Sequence, residues 1–200
     1  MSNKKRVAIT GASGKIGRVT VEWLEKAGYK LILIEKKDPV TEAHPAKNTD
    51  IEDPTRGLSI YALTKVLGEE MARQFCLNNA DIRITCLRLS NVMAPEEYAQ
   101  FESWQDEPAV RQWNMWTYVD VRDVAQAIEK AVEYDVRGKD EFFITSDVTC
   151  MRTPTQELLD RYYPDVEQRK KLAGNESVLS SEKAMRVLGY RPAHRWTDSV

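Results

Sequence analysis

Tyr61 and Lys65 lie four residues apart in YALTKVLGEE, a stretch with helical periodicity, so they share one helical face. A tyrosine phenol titrates near 10 and is a poor base at neutral pH. A lysine ammonium one turn away favours the phenolate. Such a tyrosine can exchange a proton with an alcohol or carbonyl while a nicotinamide exchanges hydride. The lysine can also hydrogen-bond the nicotinamide ribose. Alone, the pair is common surface decoration, and its meaning depends on what lies upstream.

Upstream is RVAITGASGKIG, residues 6–17, in which a short apolar run meets Gly11, Gly14 and Gly17. Ile16, Val19, Trp23 and Leu24 then follow at helix spacing. Strand, glycine turn and helix in this order make a dinucleotide-binding loop. Gly11 allows the tight turn, Gly14 lets the backbone approach a pyrophosphate, and Gly17 lets the helix pack on the strand. The free N–H groups at the helix start attract the anion. Glu35, at the end of the next strand, can accept hydrogen bonds from the adenosine ribose and repel a 2′-phosphate. That favours NAD over NADP, with Lys36 and Lys37 partly offsetting the preference.

The elements that position these residues are read in chain order. A strand at Arg6–Thr10 leads to a helix from about Lys15 to Lys26, stopped by Gly28, and then a strand at Tyr29–Glu35. This is a right-handed βαβ unit of a parallel sheet. Residues 36–57 are polar, contain three prolines and read as a loop. A helix over Ser59–Asn78 carries the apolar stripe Leu63, Val66, Leu67, Met71 and Phe75, and a strand follows at Asp81–Leu89. Ser90–Pro95 reads as a turn. Residues 96–117 hold Tyr98, Phe101, Trp104, Trp113 and Trp116, which serve either a substrate pocket or, more commonly, a small core. Val119–Tyr134 reads as an amphipathic helix from about Asp123, a good N-cap. A strand at Glu141–Thr145 and helices at Thr155–Tyr163 and Ser180–Leu188 complete the pattern.

Composition sets further bounds. The 200 residues are 42% hydrophobic and 30% charged, with a net charge of −2 and no basic block, which argues against nucleic acid or an anionic membrane as partner. No apolar run approaches a membrane span, and the start MSNKKRVAIT leaves no room for a signal peptide, so a cytoplasmic location is expected. Cys76, Cys86 and Cys150 form no CxxC and read as reduced, buried thiols. With only His44 and His194, both expected to be exposed, neither a metal site nor a Ser-His-Asp triad is indicated.

TGASGKIG, YALTKVLGE, LRLSNVMAP, WTYVDVRDVAQAI and SSEKAMRVLGYRP, in this order, resemble an extended short-chain dehydrogenase/reductase of the NAD-dependent epimerase/dehydratase group. The resemblance covers nearly the whole chain in motif order. It implies an enzyme acting on a sugar, nucleotide sugar or related alcohol or carbonyl. It assigns Gly11, Gly14 and Gly17 to the glycine motif, Lys15 and Ile16 to backbone contacts there, and Glu35 to the ribose. It makes Tyr61 and Lys65 the catalytic pair and puts Asn91 near nicotinamide and substrate. It also implies a homodimer through the tyrosine helix, with Met71 and Phe75 then interface instead of core. The fold expected is a Rossmann-like α/β parallel sheet over residues 1–95. Residues 96–200 would form a small substrate domain plus a returning Rossmann strand and helices.

The pattern also departs from the family. Three strands and their helices, roughly 60 residues or more, normally lie between the second strand and the tyrosine helix. Here only residues 36–57 do, so strands 3 to 5 and the segment with the catalytic serine are absent from the expected order. Ser59 sits too close to Tyr61 for that role, and Thr41 is the other hydroxyl on offer. The simplest closure pairs the strand around Ile9 directly with the strand around Ile84, giving an order near 2-1-6-7. The alternative function is a truncated, non-catalytic nucleotide-binding remnant.

Overall fold

The computed structural model describes residues 5–34, 60–168 and 170–199. The loop at 36–57, Glu35, Thr41, His44 and Ser59 lie outside the described residues.

β1 (Arg6–Thr10) alternates between exposed and half-buried positions, with Val7 and Ile9 turned inward. α1 (Lys15–Lys26) ends as the sequence predicts. Gly28 takes φ +82°, its N–H donates to the Glu25 carbonyl at 2.8 Å, and the Tyr29 N–H donates to that of Leu24 at 3.0 Å. That double bond is a Schellman closure, and it needs a residue tolerant of left-handed backbone at Gly28. β2 (Lys30–Ile34) then returns parallel to β1, in register from Arg6 against Lys30 to Thr10 against Ile34.

α2 (Ile60–Asn78) is followed by β3 (Arg83–Leu89) and β4 (Asn91–Met93). The Ser90–Pro95 turn expected from sequence is therefore partly a strand. β4 pairs in parallel with β5 (Tyr118–Asp120), Asn91 opposite Tyr118. β5 lies just ahead of the expected helix. α4 runs from Val121 to Glu133, starting slightly before the expected Asp123, because Asp120 accepts the Arg122 N–H at 2.8 Å and caps it. Asp123, expected as the cap, lies inside the first turn and is buried. α3 (Ala99–Gln105), β6 (Gly138–Ile144), α5 (Thr155–Tyr162) and α6 (Glu182–Val187) complete the described α-helices and strands, and short 3-10 helices lie at Pro95–Glu97, Pro108–Asn114 and Trp196–Ser199.

Among the described residues the strands form three pairs, β1–β2, β3–β6 and β4–β5. The two halves of the expected 2-1-6-7 order are both present. The expected direct pairing of the Ile9 and Ile84 strands is not among the ladders of the described residues, where β1 pairs with β2 and β3 with β6. Gly138 N–H on the Ile82 carbonyl and Ser90 N–H on the Ile144 carbonyl, both at 3.1 Å, mark the two ends of the β3–β6 ladder.

The chain divides into two compact units. The larger comprises residues 1–35, 87–134 and 141–200; the smaller comprises 36–86 and 135–140. The larger holds the core. One cluster joins Phe101, Trp116, Tyr118, Met151, Leu158 and Trp196, and a second joins Val119, Val124, Phe142, Ile144 and Tyr190. α1 packs on α4, where Trp23 Nε1 donates to Glu129 and the Tyr29 hydroxyl to Glu133, each at 2.7 Å. The smaller unit is braced by Arg83–Asp135 at 2.8 Å and Lys139–Glu69 at 3.6 Å. The α2 stripe of Leu63, Val66, Leu67, Met71 and Phe75 is exposed. Of the cysteines, Cys150 is buried, whereas Cys76 and Cys86 are only half-buried, against the expectation for all three. Among the described residues no helix is long and apolar enough to cross a membrane.

Candidate functional site

The glycine turn is built from its backbone outward. Gly11 adopts φ +68°, its N–H donates to the Ile34 carbonyl at 3.1 Å, and its own carbonyl accepts the Gly14 N–H at 3.1 Å. Gly14 is the extended N-cap of α1, and the first helical bond runs from Arg18 N–H to its carbonyl at 2.9 Å. A β-carbon on Gly17 would stand 2.1 Å from the Gly11 carbonyl oxygen and 2.8 Å from Ala12 Cα. Only glycine lets the helix cross this close to its own turn. Next to Gly11 there is open space, since a β-carbon there would meet nothing within 4 Å.

The first turn of α1 has no side-chain cap and no acidic residue. Its N–H groups and the positive end of the helix dipole suit an anion, with no carboxylate from the turn itself to compete. A close-packed glycine crossing, a left-handed first glycine and an acid-free helix start fit the diphosphate of a dinucleotide.

Lys15, expected to contribute backbone, also uses its side chain. Nζ meets both carboxylate oxygens of Glu97 at 2.6 and 2.7 Å and approaches the Val92 carbonyl at 3.4 Å. This contact brings the glycine loop to the strand that Asn91 begins. Asn91 is half-buried, with Nδ2 3.0 Å from Met93 Sδ. Ile16 is half-buried against the second core cluster. Tyr61 and Lys65 occupy the first two turns of α2, four positions apart, in the smaller unit.

Sequence reading missed Glu97. Its signal was local: Pro95 followed by an acid two residues later is a helix-start pattern. Glu97 indeed accepts the Ala94 N–H at 2.7 Å. Burial would raise its carboxyl, but the Ala94 N–H and Lys15 outweigh it and hold Glu97 below the usual carboxylate range. Asp120 was missed as well. It is fully buried, accepts Arg122 Nε and Nη2 at 2.8 Å each, and takes a short hydrogen bond from the Tyr98 hydroxyl. Burial opposes its charge, yet Arg122 and Tyr98 keep it below the ordinary value.

His194 is corrected too. It is half-buried, and Nδ1 lies 2.7 Å from Asp123 Oδ1, while Asp123 also accepts the N–H groups of Ala193 and His194. The aromatic stretch mostly fills the core. Phe101 meets Tyr118 and Trp196 edge-on at 5.1 and 5.7 Å, whereas Trp113 stays exposed, with the Arg111 guanidinium between it and Trp104. A cavity of about 500 Å³ lies between α1 and α4, lined by Val19, Trp23, Lys26, Arg122 and Glu129 and by none of the glycines. Among the described residues no group of three or more His, Cys, Asp or Glu could hold a metal ion.

Strand, glycine turn, helix and parallel return strand define a Rossmann-like α/β protein. The sequence matches the NAD dependent epimerase/dehydratase family over residues 38–144, more than half of its length, and the chain belongs to that family. The match begins beyond the glycine loop, so the loop geometry is an independent observation. No curated protein sequence matches.

Solved structures share the fold. UDP-glucose 4-epimerase from Thermotoga maritima, solved with UDP-glucose, has a TM-score of 0.60 at 16% identity, covering 98% of this chain and 96% of that one. A short-chain dehydrogenase/reductase superfamily protein from Agrobacterium tumefaciens with bound NAD gives 0.59 at 14% identity, covering 98% and 94%. MoeE5 in complex with UDP-glucuronic acid and NAD gives 0.59 at 15%, covering 96% and 95%.

Proposed function

We propose that the protein is an NAD- or NADP-dependent oxidoreductase or epimerase acting on a sugar-like or related alcohol or carbonyl substrate. The observation that carries this reading is the glycine crossing at Gly11–Gly17 opening on the acid-free start of α1. The family match over 38–144 supports it independently. When bound, the dinucleotide supplies hydride transfer at its nicotinamide. Gly11, Gly14 and Gly17, with the backbone of Lys15 and Ile16, hold its diphosphate. Glu35 accepts from the adenosine ribose. Tyr61 moves a proton at the substrate oxygen, and Lys65 favours its phenolate and hydrogen-bonds the second ribose. Asn91 borders the nicotinamide and substrate. The uronate- and UDP-sugar-bound relatives make nucleotide sugars and uronates the first substrates to try.

Calorimetry with NAD and NADP, followed by a hydride-transfer assay over a panel of sugars, uronates and nucleotide sugars, tests this. The expected result is dinucleotide binding in wild type and Tyr61→Phe alike, with turnover in wild type only and at least 100-fold less in the variant, on the order expected for loss of a general acid–base. Turnover that survives Tyr61→Phe overturns the assignment of that residue. A second reading, a nucleotide binder without turnover, is favoured by the short stretch 36–57, which has no counterpart of the family's serine segment. Binding with no turnover on any substrate supports it.

A further inference from the structure

We propose that Lys15 and Glu97 form a positioning clamp that holds the segment from Asn91 to Tyr98 against the dinucleotide loop, coupling cofactor binding to the substrate-side wall. The proposal rests on the cofactor reading of that loop. Its basis is how the segment is pinned at adjacent residues. Glu97 is gripped through both carboxylate oxygens by Lys15, a residue 82 positions earlier in the chain and the first of α1. Tyr98, next along, donates its hydroxyl to the buried Asp120 that caps α4. Val92, on β4, offers its carbonyl to the same Lys15 ammonium. Ligands of open α/β sheets lie beyond the carboxyl ends of the strands. β1 runs directly into the glycine turn and β4 directly into Pro95–Glu97, so the clamp joins the segments that leave two such strand ends.

An exposed ion pair ordinarily contributes little. This one differs in that Glu97 is three-quarters covered, at 26% side-chain exposure, and its second oxygen is already fixed by the Ala94 N–H. Lys15 reaches that N–H only through Glu97. Loss of the lysine should therefore be felt at Ala94, which a mere surface decoration would not transmit.

The test uses the full chain, NAD as probe, and two readouts: calorimetric affinity and hydrogen exchange at the Ala94 amide. Lys15→Met and Glu97→Ala should each weaken NAD binding about fivefold, the double variant no further, and Lys15→Arg should stay within about twofold of wild type. Lys15→Met should speed Ala94 exchange, and NAD should slow it in wild type. Wild-type affinity and exchange in Lys15→Met, or losses that simply add in the double variant, overturn the clamp alone. A wild-type chain that fails to bind NAD overturns the clamp and the cofactor reading together.

Discussion

A methyl group separates the roles of Gly11 and Gly17. At Gly11 there is room for one, but the backbone at φ +68° strains any L side chain by about 1 kcal/mol. At Gly17 the backbone is permissive and the space is not, because the new carbon would overlap the Gly11 carbonyl. The helix would have to move off its own turn, at a cost of about 3 kcal/mol. Gly17→Ala should therefore unfold at lower urea than Gly11→Ala and lose NAD affinity more completely, since the displaced part is the helix start proposed to hold the diphosphate. Equal urea midpoints for the two variants would show that the crossing is looser than the turn geometry implies.

The start of α4 is the element on which the larger unit turns. Asp120 ends β5, caps α4, and satisfies Arg122 and Tyr98 from a fully buried position. Its carboxyl is held below the ordinary value, chiefly against the cost of burial. An acid whose native pKa is depressed stabilises the fold above its unfolded pKa of about 3.9 and loses that contribution as pH falls through the native value. Asp120→Asn should cost about 2 kcal/mol at pH 7, because charged hydrogen bonds to Arg122 are replaced by weaker ones. The gap to wild type should narrow in urea titrations below about pH 4. A gap that stays constant down to pH 2.5 would mean that the carboxylate's charge contributes nothing there.

At the scale of the whole molecule, stability is uneven. β5 is completely buried between the two core clusters, and the Ser146 N–H donates to the Tyr118 carbonyl at 2.8 Å. β2, by contrast, leaves Ile32, Leu33 and Ile34 about half exposed, at 50%, 51% and 48%. Amides of β5 and of Ile144 should exchange slowest, near the global unfolding limit, and those of Ile32 and Leu33 much faster by local opening. Mass spectrometry of native-state exchange checks this. Equal protection of β2 and β5 would show that β2 opens only with the rest of the molecule.

The sequence by itself determined the features that depend on neighbours a few residues away. Gly28 closes α1 because a helix needs a left-handed residue just past its end, and the glycine turn is legible because strand, turn and helix are contiguous. Tyr61 and Lys65 share a helix for the same local reason. Tertiary structure alone decided the rest. The three-residue strands β4 and β5 are too short for any alternation to announce them, and they exist because each supplies the other's ladder. The cap of α4 moved from Asp123 to Asp120 because residues 118–120 were claimed by that ladder, and Asp123 was left to receive the returning His194. Lys15 and Glu97 meet 82 positions apart in the chain, a separation no local pattern encodes. The glycine loop was readable in the sequence, whereas its clamp and the partner chosen by each strand depended on which surfaces the folded chain brought within reach.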